Sequence, residues 1–127
     1  MSTDRIFIAG HKGMVGASLL LCLKKQNIKK IITIDRKFLD LTSEKQVAKF
    51  IQRKKPDVII NCAGKVGGIF ANSTYPVEFL NDNIAIQLNL TKSAYKNNVK
   101  HFVNLGSSCI YPKNSKQPMK EKYLLTS

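Results

Sequence analysis

Three glycines at intervals of three, Gly10, Gly13 and Gly16, follow the apolar run RIFIA at residues 5–9 and open an amphipathic stretch. His11, Lys12, Met14 and Val15 fill the intervals. Glycine lets the chain turn tightly and bring backbone N–H groups against a pyrophosphate, and the positive end of the helix that follows meets its negative charge. The strand before and the helix after are the context this motif requires. Gly10, His11, Lys12, Gly13, Met14, Val15 and Gly16 are therefore candidate cofactor-binding residues, with Lys12 as an added cation for phosphate. The competing account of the same residues is a plain strand-to-helix turn.

The next apolar run ends at Asp35-Arg36. An acid at this place bonds the adenosine ribose 2′-hydroxyl of NAD, whereas an arginine accommodates the 2′-phosphate of NADP. Arg36 together with Lys12 favours NADP, because a guanidinium fork suits phosphate. Asp35 leaves NAD open if its side chain points inward; the alternative is a solvated turn residue.

The elements that would hold these residues alternate short apolar runs with amphipathic stretches. Met14–Lys25 carries Val15, Leu19, Leu20 and Leu23 at helical spacing, and residues 31–34 (IITI) are a β-branched strand. Thr42 or Ser43 can cap the next helix, whose inner face is Val47, Phe50 and Ile51. Pro56-Asp57 introduces a strand at 58–60. Residues 76–97 fit a helix with Phe79, Leu80, Ile84, Ile86, Leu88 and Leu90 among its apolar positions, and 101–105 (HFVNL) form a fourth strand. An irregular loop marked by Pro112, Asn114 and Pro118 follows, with at most a helical start near 119–125. Strands alternating with helices predict an α/β, Rossmann-like, doubly wound parallel sheet in one domain over residues 1–127, stopping after about the fourth strand. Its last strand is expected to lie as an uncovered apolar edge, which favours a homo-oligomer.

The chain of 127 residues carries 21 basic and 8 acidic side chains, a formal charge of +13, with 43% hydrophobic residues. The basic excess is almost all dispersed lysine, the arginines being Arg5, Arg36 and Arg53, and no interleaved aromatic stripe accompanies it. That pattern argues for a solvated surface and against nucleic acid as partner. No run approaches the roughly 18 apolar residues of a membrane span, so no membrane partner is expected. The start Met-Ser-Thr-Asp-Arg has no signal-peptide pattern, and Cys22, Cys62 and Cys109 have neither disulfide-framework nor metal spacing. The expectation is a cytoplasmic protein without a metal site.

Two later segments make a resemblance specific. Asn61-Cys62-Ala63-Gly64 continues as Lys65-Val66-Gly67-Gly68-Ile69 with Ala71-Asn72 and Tyr75-Pro76, and Gly106-Ser107-Ser108-Cys109-Ile110-Tyr111-Pro112-Lys113 follows the fourth strand. With GHKGMVG, these segments resemble the GDP-L-fucose synthase family, extended short-chain reductases of the NAD-dependent epimerase/dehydratase group, over essentially the whole chain. The resemblance implies epimerisation of GDP-4-keto-6-deoxy-D-mannose at C3 and C5 and reduction at C4 with NADPH, giving GDP-L-fucose; the partner is then a GDP-sugar. It implies that Cys109 abstracts a proton next to the ketone, which a thiol can do where positive charge lowers its pKa. It also implies that Ser107 hydrogen-bonds the C4 oxygen. Ala63 would let the cofactor cross the sheet edge, Asp40 and Leu41 would meet the adenine end, and Leu105, Gly106, Ser107 and Ser108 would lie along the nicotinamide. The alternative for Cys109 is a small half-buried loop residue.

The reductase proton donor of the family, a tyrosine in Tyr-x-x-x-Lys, has no counterpart here: Tyr95, Tyr111 and Tyr123 are followed four positions later by Val99, Ser115 and Ser127. The expectation is cofactor binding without full catalysis, as the N-terminal part of such an enzyme. The alternative is a non-catalytic dinucleotide-binding module completed by a partner subunit.

Overall fold

The computed structural model describes residues 4–126. Residues 1–3, which enter the expectation about the chain start, and Ser127 lie outside the described residues.

The chain runs β1 (Ile6–Ala9), α1 (Met14–Lys25), β2 (Ile31–Ile32), α2 (Glu44–Lys54), β3 (Val58–Asn61), α3 (Ile69–Thr74), α4 (Pro76–Lys96) and β4 (His101–Asn104), followed by single 3-10 turns at Ser108–Ile110 and Glu121–Tyr123. The four strands form one parallel sheet in the order β2-β1-β3-β4, a Rossmann-like α/β arrangement. From β1 the chain steps outward to β2, then returns past β1 to β3 and onward to β4. With right-handed crossovers, that reversal puts α1 on one face and α2 and α4 on the other. It also opens a crevice between the carboxyl ends of β1 and β3, where the connections leave in opposite directions.

The side chains of the α2–α4 face explain why it holds. Phe7, Ala9 and Ile59 point there from the strands and meet Val47, Phe50 and Ile51 of α2 and Leu90 and Ala94 of α4, all buried. Phe7 and Phe50 stack at a tilt with ring centroids 5.0 Å apart. Fully burying side chains of this size contributes about 1.5–3 kcal/mol each. Ser43 is the cap of α2, its hydroxyl accepting from the Gln46 N–H at 3.5 Å, while Thr42 is engaged with Asp40 instead. Pro56 and the left-handed Lys55 (φ 46°) turn the chain from α2 into β3.

Three expectations need correction. β2 covers Ile31–Ile32 rather than 31–34, because the backbone leaves β1 after the pair Phe7–Ile32 and Ile34 turns to line the crevice. The short helix α3, built from Ile69–Thr74 ahead of Pro76, was not foreseen, since six residues cannot establish a helical period. The apolar positions of α4 divide into two stripes: Ile86, Leu90 and Ala94 face the core, whereas Leu80, Ile84 and Leu88 lie exposed on the outer side. Similarly, Val15 of α1 is exposed, and Leu19, Leu20 and Leu23 are only partly buried. β4 is the edge strand, and none of its residues is buried.

Candidate functional site

A cleft of about 240 Å³ opens at the crevice between β1 and β3. Gly10, His11, Lys12 and Gly13 form one wall, Asp35, Arg36, Asp40, Leu41 and Thr42 a second, and Cys62, Ala63, Gly64 and Lys65 a third. Two glycines are dictated by contact. Gly10 has φ +79°, and a Cβ there would stand 2.7 Å from the Ala63 backbone; a Cβ on Gly16 would overlap the Gly10 carbonyl. Gly16 is thus the packing glycine that lets α1 start against the loop, and it is the sole buried residue of that helix. Gly13 is the N-cap of α1 and donates its N–H to Gly10 O at 3.0 Å, with no side chain capping the helix. Its first turn holds no acid, leaving the positive end of the dipole uncompensated.

The second wall carries charge. Asp35 takes Lys12 Nζ at 2.7 Å on one oxygen and faces His11 Nε2 at 3.3 Å with the other. The hydrogen bond from Lys12 holds the Asp35 carboxyl below its ordinary value, burial acting against it. Asp40 is held down in the same direction, first by the Thr42 hydroxyl and then by the Thr42 N–H, both donating to Oδ1 at 2.7 and 2.9 Å. Arg36 is exposed at the rim. Asn89, buried on α4, donates to Leu41 O at 3.0 Å and so fixes the segment carrying Asp40 and Leu41.

The third wall is held from α4 by residues that the sequence did not single out. Asn83 accepts the Lys65 N–H at 2.7 Å and donates to Lys65 O at 3.0 Å and Phe79 O at 2.9 Å, acting as a strand-like partner for the loop. Lys65 Nζ pairs with Asp82 at 2.8 Å. Buried Asn61 accepts the Ala63 N–H at 3.1 Å and donates to Asn104 Oδ1 at 2.9 Å, tying the ends of β3 and β4 together. The Lys65–Asp82, Lys65–Asn83 and Asn61–Asn104 partners lie 17 to 43 positions apart, so no local pattern announces them. Burial in the cleft wall pushes the Cys62 thiol up, disfavouring its thiolate.

Of the proposed cofactor-binding residues, Gly10, His11, Lys12, Gly13, Arg36, Asp40, Leu41 and Ala63 line the cleft. Met14 and Val15 are exposed and lie outside it. Leu105, Gly106, Ser107, Ser108 and Cys109 also lie outside it, beyond β4 and exposed. The parallel register, Ala9 with Asn61 and Asn61 with Asn104, sets them at the same carboxyl edge of the sheet. Ser107 Oγ accepts the Cys109 N–H at 3.2 Å, which fixes the turn that displays the thiol. Among the described residues, no cluster of three His, Cys, Asp or Glu is placed to hold a metal, and no helix is long and apolar enough to cross a membrane.

Residues 6–127 match the model of the NAD dependent epimerase/dehydratase family. Among curated relatives, a GDP-L-fucose synthase of Sinorhizobium fredii is 43% identical over 122 residues, covering 96% of this chain and 38% of the relative. A GDP-L-fucose synthase of Escherichia coli is 42% identical over 125 residues, covering 98% and 39%. A solved GDP-mannoheptose C4 reductase from Campylobacter jejuni with NADP bound superposes with a TM-score of 0.92 at 38% identity, covering 98% of this chain and 37% of that one. The chain thus spans less than two-fifths of the length of these relatives, corresponding to their N-terminal part. Glycine loop, reversal crevice and family match agree: this chain belongs to the NAD dependent epimerase/dehydratase family.

Proposed function

We propose that this chain is the cofactor-binding part of a GDP-sugar epimerase-reductase and binds NADP in the cleft between β1 and β3. The observation that carries the proposal is the loop at Gly10 and Gly16, where neither position has room for a Cβ and the turn leads directly into an uncapped helix N-terminus. Such a loop brings N–H groups within reach of a pyrophosphate. Lys12 and Arg36 would meet the 2′-phosphate, Asp40 and Leu41 the adenine end, and Ala63 the ribose linker where the cofactor passes β3. Leu105, Gly106, Ser107 and Ser108 would follow it along the carboxyl edge toward the nicotinamide. NADPH supplies the hydride that reduces a sugar ketone.

For the whole enzyme the substrate of this reading is GDP-4-keto-6-deoxy-D-mannose and the product GDP-L-fucose, in line with the relatives' names. Cys109 would take the proton next to the ketone and Ser107 would donate to the C4 oxygen. None of the four tyrosines of this chain has a lysine four positions later, so these 127 residues bind the cofactor without completing the reduction. Cytoplasmic location and self-association through the exposed apolar surface belong to the same proposal.

Titration of NADPH followed by its fluorescence tests it. Saturable binding at micromolar concentration, abolished by Gly10→Ala, is the expected result. No fluorescence change with NADPH, together with DNA binding of steep salt dependence, would overturn the reading. Turnover of the GDP-sugar by the isolated chain would refute the claim that reduction needs further residues.

A further inference from the structure

We propose that the amino edge of the sheet, opposite the cleft, is a docking face for an anionic lipid surface, held by charge. The inference stands apart from the cofactor-binding reading. Lysines dispersed along the chain are gathered here by the topology. Ile6 lies opposite Ile31 and Val58, and Val58 opposite His101, so the turns entering β2, β3 and β4 finish level with one another. Backbone contacts stitch them together: Ile6 N–H donates to Lys30 O and Lys100 N–H to Asp57 O, both at 2.9 Å. Helix α1 ends on Lys24 and Lys25, Lys29 and Lys30 lead into β2, and α2 ends on Lys54 with Lys55 after it, all exposed. Among the described residues, none of these lysines has an ion pair, whereas Lys12, Lys65 and Lys92 elsewhere each hold an acid. The acids of this edge, Asp4 and Asp57, are engaged by Arg5 and Lys100. The other acidic side chains line the cleft, open α2 and α4 as Glu44 and Glu78, or follow β4.

Basic residues at helix ends ordinarily offset the macrodipole, but each end carries only about half a negative charge. The ends of α1, α2 and α4 therefore leave most of these cations uncompensated. A level face of separate ammonium groups suits a planar, fluid array of anionic headgroups, where every lysine near the surface adds attraction. Such contact is peripheral and needs no spanning helix. Nucleic acid fits the face less well. Apart from Arg5 and Arg53 the cations are lysines, point charges without the fork that grips a phosphate. Tyr95, in the last turn of α4, is a single exposed ring where stacked bases need several.

Co-sedimentation of the 127-residue chain with phosphatidylcholine vesicles, with and without roughly one-third phosphatidylserine, tests the proposal. The expected result is binding to the anionic vesicles alone, falling steeply as salt rises from about 50 to about 200 mM. The variant carrying Lys24→Gln, Lys25→Gln, Lys29→Gln and Lys30→Gln should bind them about 100-fold more weakly. Removing the same charge beyond β4, by Lys113→Gln, Lys116→Gln, Lys120→Gln and Lys122→Gln, should change binding by less than about threefold. Should the first variant fold poorly, Lys54→Gln with Lys96→Gln, at the ends of two other helices, should weaken binding by about tenfold. Equal losses from the two fourfold variants overturn the proposal, as does equal binding to phosphatidylcholine alone. No binding to anionic vesicles at about 50 mM salt overturns it too, and a DNA duplex bound under those conditions would name nucleic acid as the occupant instead. NADPH affinity should be the same with and without vesicles, since the cleft lies at the other edge; release of the chain from vesicles by NADPH overturns the placement of the face. Absence of NADPH binding in the wild type overturns the cofactor-binding reading and leaves this one standing.

Discussion

The cleft side of the molecule and its β4 side are built on the same sheet yet differ sharply in burial. Around β1, β3, α2 and α4, the side chains of Phe7, Val47, Ile51, Ile59 and Leu90 are fully enclosed. On β4 and beyond, Val103, Leu105 and Ile110 are each about half exposed, and the outer stripe of α4 is similar. The contrast separates two jobs within the proposed function. The part proposed to cradle a dinucleotide is supported by its own core and by asparagine clamps, whereas the part carrying Ser107 and Cys109 is held by Asn61–Asn104, the Leu105 N–H on Asn61 O and short local turns. Cofactor binding is therefore expected to be robust in this chain, and the chemistry at Cys109 to depend on what else packs near it.

Substitutions can break that contrast, beginning with the largest effect. Gly10→Ala forces a Cβ into the Ala63 backbone at a left-handed φ. It should cost about 3 kcal/mol or more, seen as a fall in urea midpoint alongside lost NADPH binding. Leu90→Ala empties a fully buried site and should cost about 2–5 kcal/mol by the same denaturation. Asn83→Ala removes two hydrogen bonds to the cleft loop and one within α4 and should cost about 1–3 kcal/mol, with weaker NADPH binding as its distinguishing mark. Val103→Ala, on the exposed edge, should change stability by no more than about 0.5 kcal/mol. A value for Val103→Ala near that of Leu90→Ala would show that β4 is buried in solution by association, and sedimentation would then reveal the oligomer.

Acid sharpens the comparison at the other end of the sheet. Asp57, at the amino end of β3, accepts from the Arg5 N–H and guanidinium and pairs with Lys100, which lowers its pKa from 3.8 to about 2. A carboxyl lowered in the folded state adds stability above its unfolded value, and that contribution is lost as pH falls from about 4 toward 2. Lys100, raised by Asp4 and then Asp57, adds stability below its unfolded value and loses it as pH rises through the alkaline range. Asp57→Asn should flatten the acid limb of a stability-versus-pH curve while leaving NADPH affinity at neutral pH unchanged. An unaltered acid limb would mean the Arg5–Asp57–Lys100 cluster carries no net stabilisation, as exposed ion pairs often do.

The alternation of β-branched runs with amphipathic stretches was enough to specify the parallel sheet, because a buried strand and a one-faced helix leave different local periods. The glycine loop was legible for the same reason: its requirement is local, a turn and an N-terminus within seven residues. Helix α2 could be read to the residue, with Val47, Phe50 and Ile51 inward, since it packs on one side only. Helix α4 could not be read so fully. It carries apolar residues on two faces, and periodicity alone does not say which one meets the sheet.

The sequence by itself determined the strand–helix alternation apart from α3 and the end of β2, the glycine loop and the family resemblance, all of which rest on neighbours a few positions apart. Only the tertiary structure decided where the charges of the cleft are spent. Asp35 meets Lys12 across 23 positions and Lys65 meets Asn83 across 18, and such pairings follow from strand order and helix packing. Asp35 could thus be read from the chain as either a ribose ligand or a solvated turn, and its position between Lys12 and His11 became visible only once β2 was laid beside β1.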